Sequence, residues 1–148
     1  MFALMFAACT GPEEAAPVAR PETVEACLSV FHIDEGWSYE NDLEWNRTSP
    51  SEVEEYYCQH DDRACDGDAI ISRRAAQCIA RVEGLPSGYS SDYDLHYNGH
   101  METLLWRVER ATWGDPSADW GGEYMLIDAW DGVVRDQDSW EASQGDCL

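Results

Sequence analysis

Ser72–Glu83 (SRRAAQCIARVE) is followed by LLWRV at Leu104–Val108 and YMLIDAWDGVV at Tyr124–Val134. The change of hydrophobic period between these stretches decides the fold. In the first, Ala75, Cys78, Ile79 and Val82 fall on one stripe at helical spacing. Ser72 is placed to cap this helix, Gly84 to close it at C′, and Leu85 to fold back as its hydrophobic contact. The small residues Ala75 and Ala76 let it lie close to a sheet. Arg73 and Arg74 stand at the positive end of the helix dipole, where Asp66 or Asp68 can compensate.

Further on the period becomes two. Tyr93, Leu95 and Tyr97 alternate with polar residues, as in a half-buried strand. Asn98-Gly99 predicts a two-residue type I′ hairpin turn into a return strand from His100 to about Arg110. Leu104, Trp106 and Val108 then share one face, and Leu105, Arg107 and Glu109 the other. Gly114–Gly122 reads as a long turn, Tyr124–Ala129 as a third strand, and Asp131-Gly132 as a tight turn into Val133–Arg135. The expected fold is α+β: a short helix on a three- to four-stranded antiparallel sheet, with Trp106 at the centre of the packing.

The front of the chain is read through its six cysteines, at 9, 27, 58, 65, 78 and 147. Their number suits an oxidising compartment, and they lack zinc spacing. Val24, Cys27, Leu28 and Phe31 fit a short helix over Glu22–His32, although Val24, Ala26, Leu28 and Val30 fit a strand nearly as well. Ser49-Pro50-Ser51-Glu52 forms a capping box, predicting a helix from Pro50 to about His60 with Val53, Tyr56 and Tyr57 on its buried edge. Cys58 and Cys65 either close the small loop between them or bridge elsewhere. Cys27, Cys58, Cys65 and Cys78 are expected to make two bridges that pin the front segment onto the core helix, leaving Cys147 odd.

Met1–Ala8 is apolar and runs into Cys9. Phe6-Ala7-Ala8-Cys9 resembles a bacterial lipobox, which implies that residues 1–8 are a signal-peptide remnant and that Cys9 carries lipid. Several acyl chains, at about 0.8 kcal/mol per buried methylene, would hold such a protein on a membrane. Thr10–Pro21, with three prolines, reads as an extended tether. Thr10 is not the aspartate that retains lipoproteins at the inner membrane, so the resemblance implies the outer membrane. The expected organisation is a remnant (1–8), a lipidated cysteine and tether (9–21), a cysteine-bearing front segment (22–68), the helix-and-sheet module (69–136) and a tail (137–148).

The helix with its small residues (Ile71-Ser72, Ala75, Ala80), Trp106-Arg107-Val108 and Leu126-Ile127-Asp128-Ala129-Trp130-Asp131-Gly132-Val133 together resemble a PepSY-type domain over roughly residues 67–135. The family's helix with small residues, its W-x-V strand and its V-D-A-x-T-G-x-V hairpin are the points of likeness. Asp131 stands where threonine is usual, and two arginines replace acids at the helix start. The resemblance implies a non-enzymatic module of the kind found in propeptides of secreted metallopeptidases or alone in envelope proteins. With no peptidase sequence after it in this chain, it implies the stand-alone kind.

Charge and motifs limit the alternatives. Thirty acids against nine arginines, a net charge of −21, disfavour nucleic acid and electrostatic docking on anionic lipid. Asp62, Asp66 and Gly67 match part of a calcium loop, but Ala64 and Arg73 fall where ligands are needed. Asn46-Arg47-Thr48 is formally a glycosylation sequon and is expected to be accidental. His96 and His100, in a two-residue hairpin, project from opposite faces and cannot share an ion. No nucleophile elbow is present, and Asp128 reads as a turn residue. No catalytic residue, cofactor or metal is therefore expected. Trp113, Trp120 and Trp130 are the candidate binding surface, with Trp140 near them. The expected function is a non-catalytic envelope lipoprotein that binds an extracytoplasmic protein or peptide, including a peptidase. Its rivals are a structural acidic lipoprotein and, last, a carboxylate-dependent hydrolase.

Overall fold

The computed structural model describes residues 20–31, 50–65 and 70–143, and of residues 50–54 the backbone alone. Helix α1 is Val24–Phe31, α2 is Pro50–His60 and α3 is Arg73–Val82, with a 3-10 turn at Asp62–Cys65 after α2. Strands β1 (Ser90–Asn98), β2 (Thr103–Gly114), β3 (Trp120–Asp128) and β4 (Val134–Ala142) form one antiparallel sheet in the order β1-β2-β3-β4. The fold is α+β, and the cysteine-bearing front segment is partly helical. Cys9, Asn46, the Ser49 cap, Asp66, Gly67, Asp68 and Cys147 lie outside the described residues.

Helix α3 begins where its cap demands. The Ser72 hydroxyl accepts from the Ala75 amide at 3.0 Å and donates to the carbonyl of Phe31, so one buried serine joins the start of α3 to the end of α1. At the other end the Gly84 amide donates to Arg81 O (3.3 Å) and the Leu85 amide to Ala80 O (2.8 Å). This is a Schellman closure, made possible by a φ of +97° at Gly84. Helix α1 resolves the ambiguity between helix and strand in favour of helix. Thr23 Oγ1 caps it by accepting from the Ala26 amide at 3.1 Å.

Alternation along the strands separates the sheet into two faces. Leu95, Leu104, Trp106, Val108, Met125 and Ile127 are buried against the helices. Trp106 is fully buried, and its indole N–H donates to Ile71 O at 2.9 Å, leaving no polar atom of the ring unpaired. The Ile71 amide in turn donates to Ala129 O at 2.9 Å. The approach to α3 is thereby tied to both β2 and the turn after β3. Leu28 of α1 and Ile79 of α3 close over that turn at Gly132. A Cβ there would stand 2.8 Å from Ile79 Cδ1, and the φ of +73° also favours glycine.

Two disulfides fasten the front segment. Cys27 pairs with Cys78, joining α1 to α3 across 51 residues, and Cys58 pairs with Cys65 across 7. The small loop after α2 is thus closed on itself. Tyr57, fully buried, reaches from α2 and donates its hydroxyl to the carbonyl of Leu95 in β1.

Three boundaries differ from the sequence reading. The β1–β2 pairing ends at Asn98↔Thr103, so the connection has four residues, Gly99 to Glu102, rather than two. The positive φ falls on Glu102 (+51°). Asn98 Oδ1 accepts from the His100 and Met101 amides, both at 3.0 Å, and this side-chain turn replaces the type I′ geometry. Strands β2 and β3 run on to Gly114 and from Trp120, so the Gly114–Gly122 turn shrinks to Asp115–Asp119. Finally, residues up to Ala142 are strand rather than tail, because β4 pairs with the whole of β3.

Candidate binding surface

The three candidate tryptophans do not share a surface. Trp113 pairs with Gly121, and a Cβ at Gly121 would stand 2.6 Å from Trp113 Cζ2, so the indole lies over Gly121 on the helix-bearing face. Trp120 is the next residue along β3 and points to the outer face. There it meets Trp140 of β4 edge to face, ring centroids 4.7 Å apart. Trp130 follows β3 at its other end, roughly 30 Å from Trp120 at the rise of a strand. It packs against the core under the guanidinium of Arg63, 4.6 Å from the ring centroid. Trp113 alone of the three is an exposed large hydrophobic side chain. Trp140, expected near the candidate tryptophans, meets Trp120 alone of the three, because β4 runs past Arg135 to Ala142. Arg135 to Ser139 are all polar, so no alternation of apolar and polar residues marked the strand that carries Trp140.

At the Trp130 end, polar groups form a brace. Asp128, 3% exposed, accepts from the Trp130 amide at 2.9 Å through Oδ1. Its Oδ2 takes both Arg135 Nε (3.1 Å) and Nη2 (2.8 Å). Asp128 is thus a turn residue, as its position suggested, and also the anchor of an arginine that the sequence did not assign to it. Nearby, Arg63 binds Asp61 with Nε–Oδ1 at 3.0 Å and Nη2–Oδ2 at 2.6 Å. The Arg63 guanidinium holds the Asp61 carboxyl below its ordinary value and is itself pushed up by that partner. A hollow of about 390 Å³ lies among Arg63, Met101, Glu102, Thr103, Asp128 and Arg135. Both of its arginines are already committed to carboxylates, so this end of the sheet is a structural knot.

The histidines do not converge. His96 lies in β1 opposite Leu105, with Nδ1 3.1 Å from Asp94 Oδ2, whereas His100 is exposed in the four-residue loop. His100 lies in that loop and not on a strand opposite Tyr97, so the two-residue hairpin geometry does not apply to it. Among the described residues no three histidine, cysteine or acidic side chains are grouped to hold a metal ion, and no helix is long and apolar enough to cross a membrane.

The outer face carries most of the sheet's charge. Register places Asp94, Arg107, Leu126 and Asp136 in one cross-strand row, and Asp92, Glu109, Tyr124 and Asp138 in the next. Arg107 pairs with Glu109 at 2.7 Å and lies over the Tyr124 ring at 4.3 Å. Leu105 and Leu126 are buried on this face as well. Beyond it, β4 is an edge strand. Arg135, Asp136, Gln137, Asp138 and Ser139 are exposed in succession, on both faces, and among the described residues β4 pairs with β3 alone.

Neither a family model, nor a curated protein, nor a solved structure matches this chain.

Proposed function

We propose that this chain is a non-catalytic binding module of the bacterial envelope, PepSY-like in arrangement, that receives an extended segment of an extracytoplasmic protein along β4. The observation that carries the reading is the edge itself: nine residues, exposed over most of their length, paired with β3 alone among the described residues. Its outward Gln137 and Ser139 amides donate to Asp136 Oδ1 (2.9 Å) and Asp138 Oδ1 (2.8 Å), bonds that an incoming strand would replace. Such an edge is a template for an added strand. Asp136, Asp138 and Glu141 set its sign. Like charges keep two copies from pairing edge to edge, and they favour a basic segment over an acidic one. The disulfide-fastened front segment suits an oxidising compartment. A lipid on Cys9 would hold the module at the outer membrane, at the end of its tether. An extracytoplasmic peptidase, its activity modulated by the docked domain, is the kind of partner the PepSY resemblance favours.

Crosslinking of the intact envelope, read by mass spectrometry, tests this. The full chain is expected to yield a reproducible partner crosslinked near β4, and Asp136→Lys with Asp138→Lys to lose it. A capture indifferent to reversing these charges would remove the edge from the mechanism. The same spectra should contain the Cys9 peptide in diacylglyceryl form; an unmodified Cys9 would remove the anchor.

A further inference from the structure

The chain has nine arginines and no lysine, and four of the nine line one cleft. Arg20 precedes α1, Arg74 and Arg81 lie about two turns apart on α3, and Arg110 stands near the end of β2. The cleft holds about 390 Å³, and among the described residues no carboxylate lines it. In a protein with thirty acids that segregation is the reverse of the outer face. We infer that this cleft is a binding site for a small organic polyanion bearing phosphate or carboxylate groups.

Two of the guanidiniums, those of Arg81 and Arg110, are positioned by neutral partners among the described residues. Arg81 donates to the carbonyl of Pro21 and approaches Cys78 Sγ at 3.8 Å. Arg110 donates to its neighbour's carbonyl, Glu109 O, at 2.8 Å and lies over the Tyr93 ring at 5.2 Å. Arg74 lies over the Phe31 ring at 5.1 Å. A ring face or a carbonyl orients a guanidinium without cancelling its charge. Among the described residues none of Arg20, Arg81 and Arg110 is in an ion pair. Arg135 and Arg63, at the opposite end of the sheet, are each neutralised by a buried or half-buried acid. Of the carbonyls ending α3, those of Arg81 and Ala80 are already taken by the Gly84 and Leu85 amides. Planar forks converging from three elements suit the oxygens of phosphate or carboxylate, which arginine binds two at a time. The cleft's volume is that of a small-ligand site. The Cys27–Cys78 bridge builds it, because Cys78 is in its wall and α1 brings Phe31 to its rim. None of these elements belongs to the β4 edge, so this site stands or falls independently of that reading.

Titration calorimetry of the full chain at low salt, with inorganic pyrophosphate and with citrate, tests the assignment. Saturable one-to-one binding of either is expected, weakening as salt rises. Preference for pyrophosphate or for citrate assigns the physiological group to phosphate or to carboxylate. Arg81→Gln and Arg110→Gln should each weaken binding about tenfold, the effect of losing one charge-assisted contact. Arg110→Lys should lie between, since it keeps the charge and loses the fork. Arg107→Gln, on the outer face, should leave the affinity unchanged. No saturable heat with either probe, or equal losses for Arg107→Gln and Arg110→Gln, would overturn the site. Because Arg110 makes no hydrogen bond to α1 or α3 among the described residues, its variant reports on binding even if the Arg81 variant disturbs α1.

Discussion

Trp106 and Arg107 are neighbours in β2 and look out on opposite sides of the sheet. Trp106 is enclosed by helices and spends its one polar atom on the Ile71 carbonyl. Arg107 lies among acids, paired with Glu109 and laid over Tyr124. The same alternation puts Leu104 and Val108 with the first and Asp92, Asp94, Asp136 and Asp138 with the second. The lesson is that stability and charge are stored on different faces. The helix-bearing face holds the fold together through burial and cross-links. The outer face and the β4 edge carry most of the sheet's acids, beside the buried Leu105 and Leu126.

The comparison is broken most directly at Trp106. Trp106→Ala should cost about 3–5 kcal/mol, since it empties a large buried volume. It also leaves the Ile71 carbonyl without its donor. Urea unfolding followed by circular dichroism measures it; a loss under about 1 kcal/mol would place the core elsewhere. Replacing Cys27 and Cys78 together by serine opens the long closed loop. The loop-entropy relation sets about 4 kcal/mol as the upper end of the loss for a separation of 51 residues. The same change at Cys58 and Cys65 should cost less, about 2 kcal/mol, because the loop it closes has a separation of only 7.

A smaller effect is expected at the brace that joins α2 to the sheet end. Arg63 lowers the Asp61 carboxyl below its ordinary 3.8 in the folded protein. The pair's contribution is therefore complete above pH 3.8 and is lost as pH falls through the lower folded value. Since the Arg63 side chain is 54% exposed, solvent screening limits Asp61→Asn to about 0.2–1 kcal/mol at neutral pH. The variant's melting temperature should also fall less steeply than the native protein's below pH 3.8. Smallest of all should be Asp138→Asn on the outer face, within about 0.5 kcal/mol of native stability in either direction. A loss like that of Trp106→Ala would mean that the outer face is structural after all.

The parts legible beforehand were those written in short-range spacing. Ser72, Gly84 and the stripe from Ala75 to Val82 determine α3 because caps and periodicity act within a turn or two. The alternation around Trp106 determined which residues of β2 turn inward, since a strand's period leaves no other choice once one face is apolar. The hairpin after Asn98 misled for a local reason. Asn-Gly favours a two-residue turn, but the Asn98 side chain can instead accept two amides and hold a longer loop. The end of β4 was illegible because its exposed polar residues carry no burial signal; pairing with β3 supplies the hydrogen bonds that make it a strand.

By itself, then, the chain of residues determined an amphipathic helix, strands with one apolar face, and an excess of acid. Only the tertiary structure decided that Cys27 meets Cys78, that Trp113 and Trp120 part company across the sheet, and that Arg20, Arg74, Arg81 and Arg110 gather at one cleft. Local patterns reflect torsional and face preferences that neighbouring residues share. A meeting between residues dozens of positions apart depends on which loops close, and spacing along the chain carries no record of that.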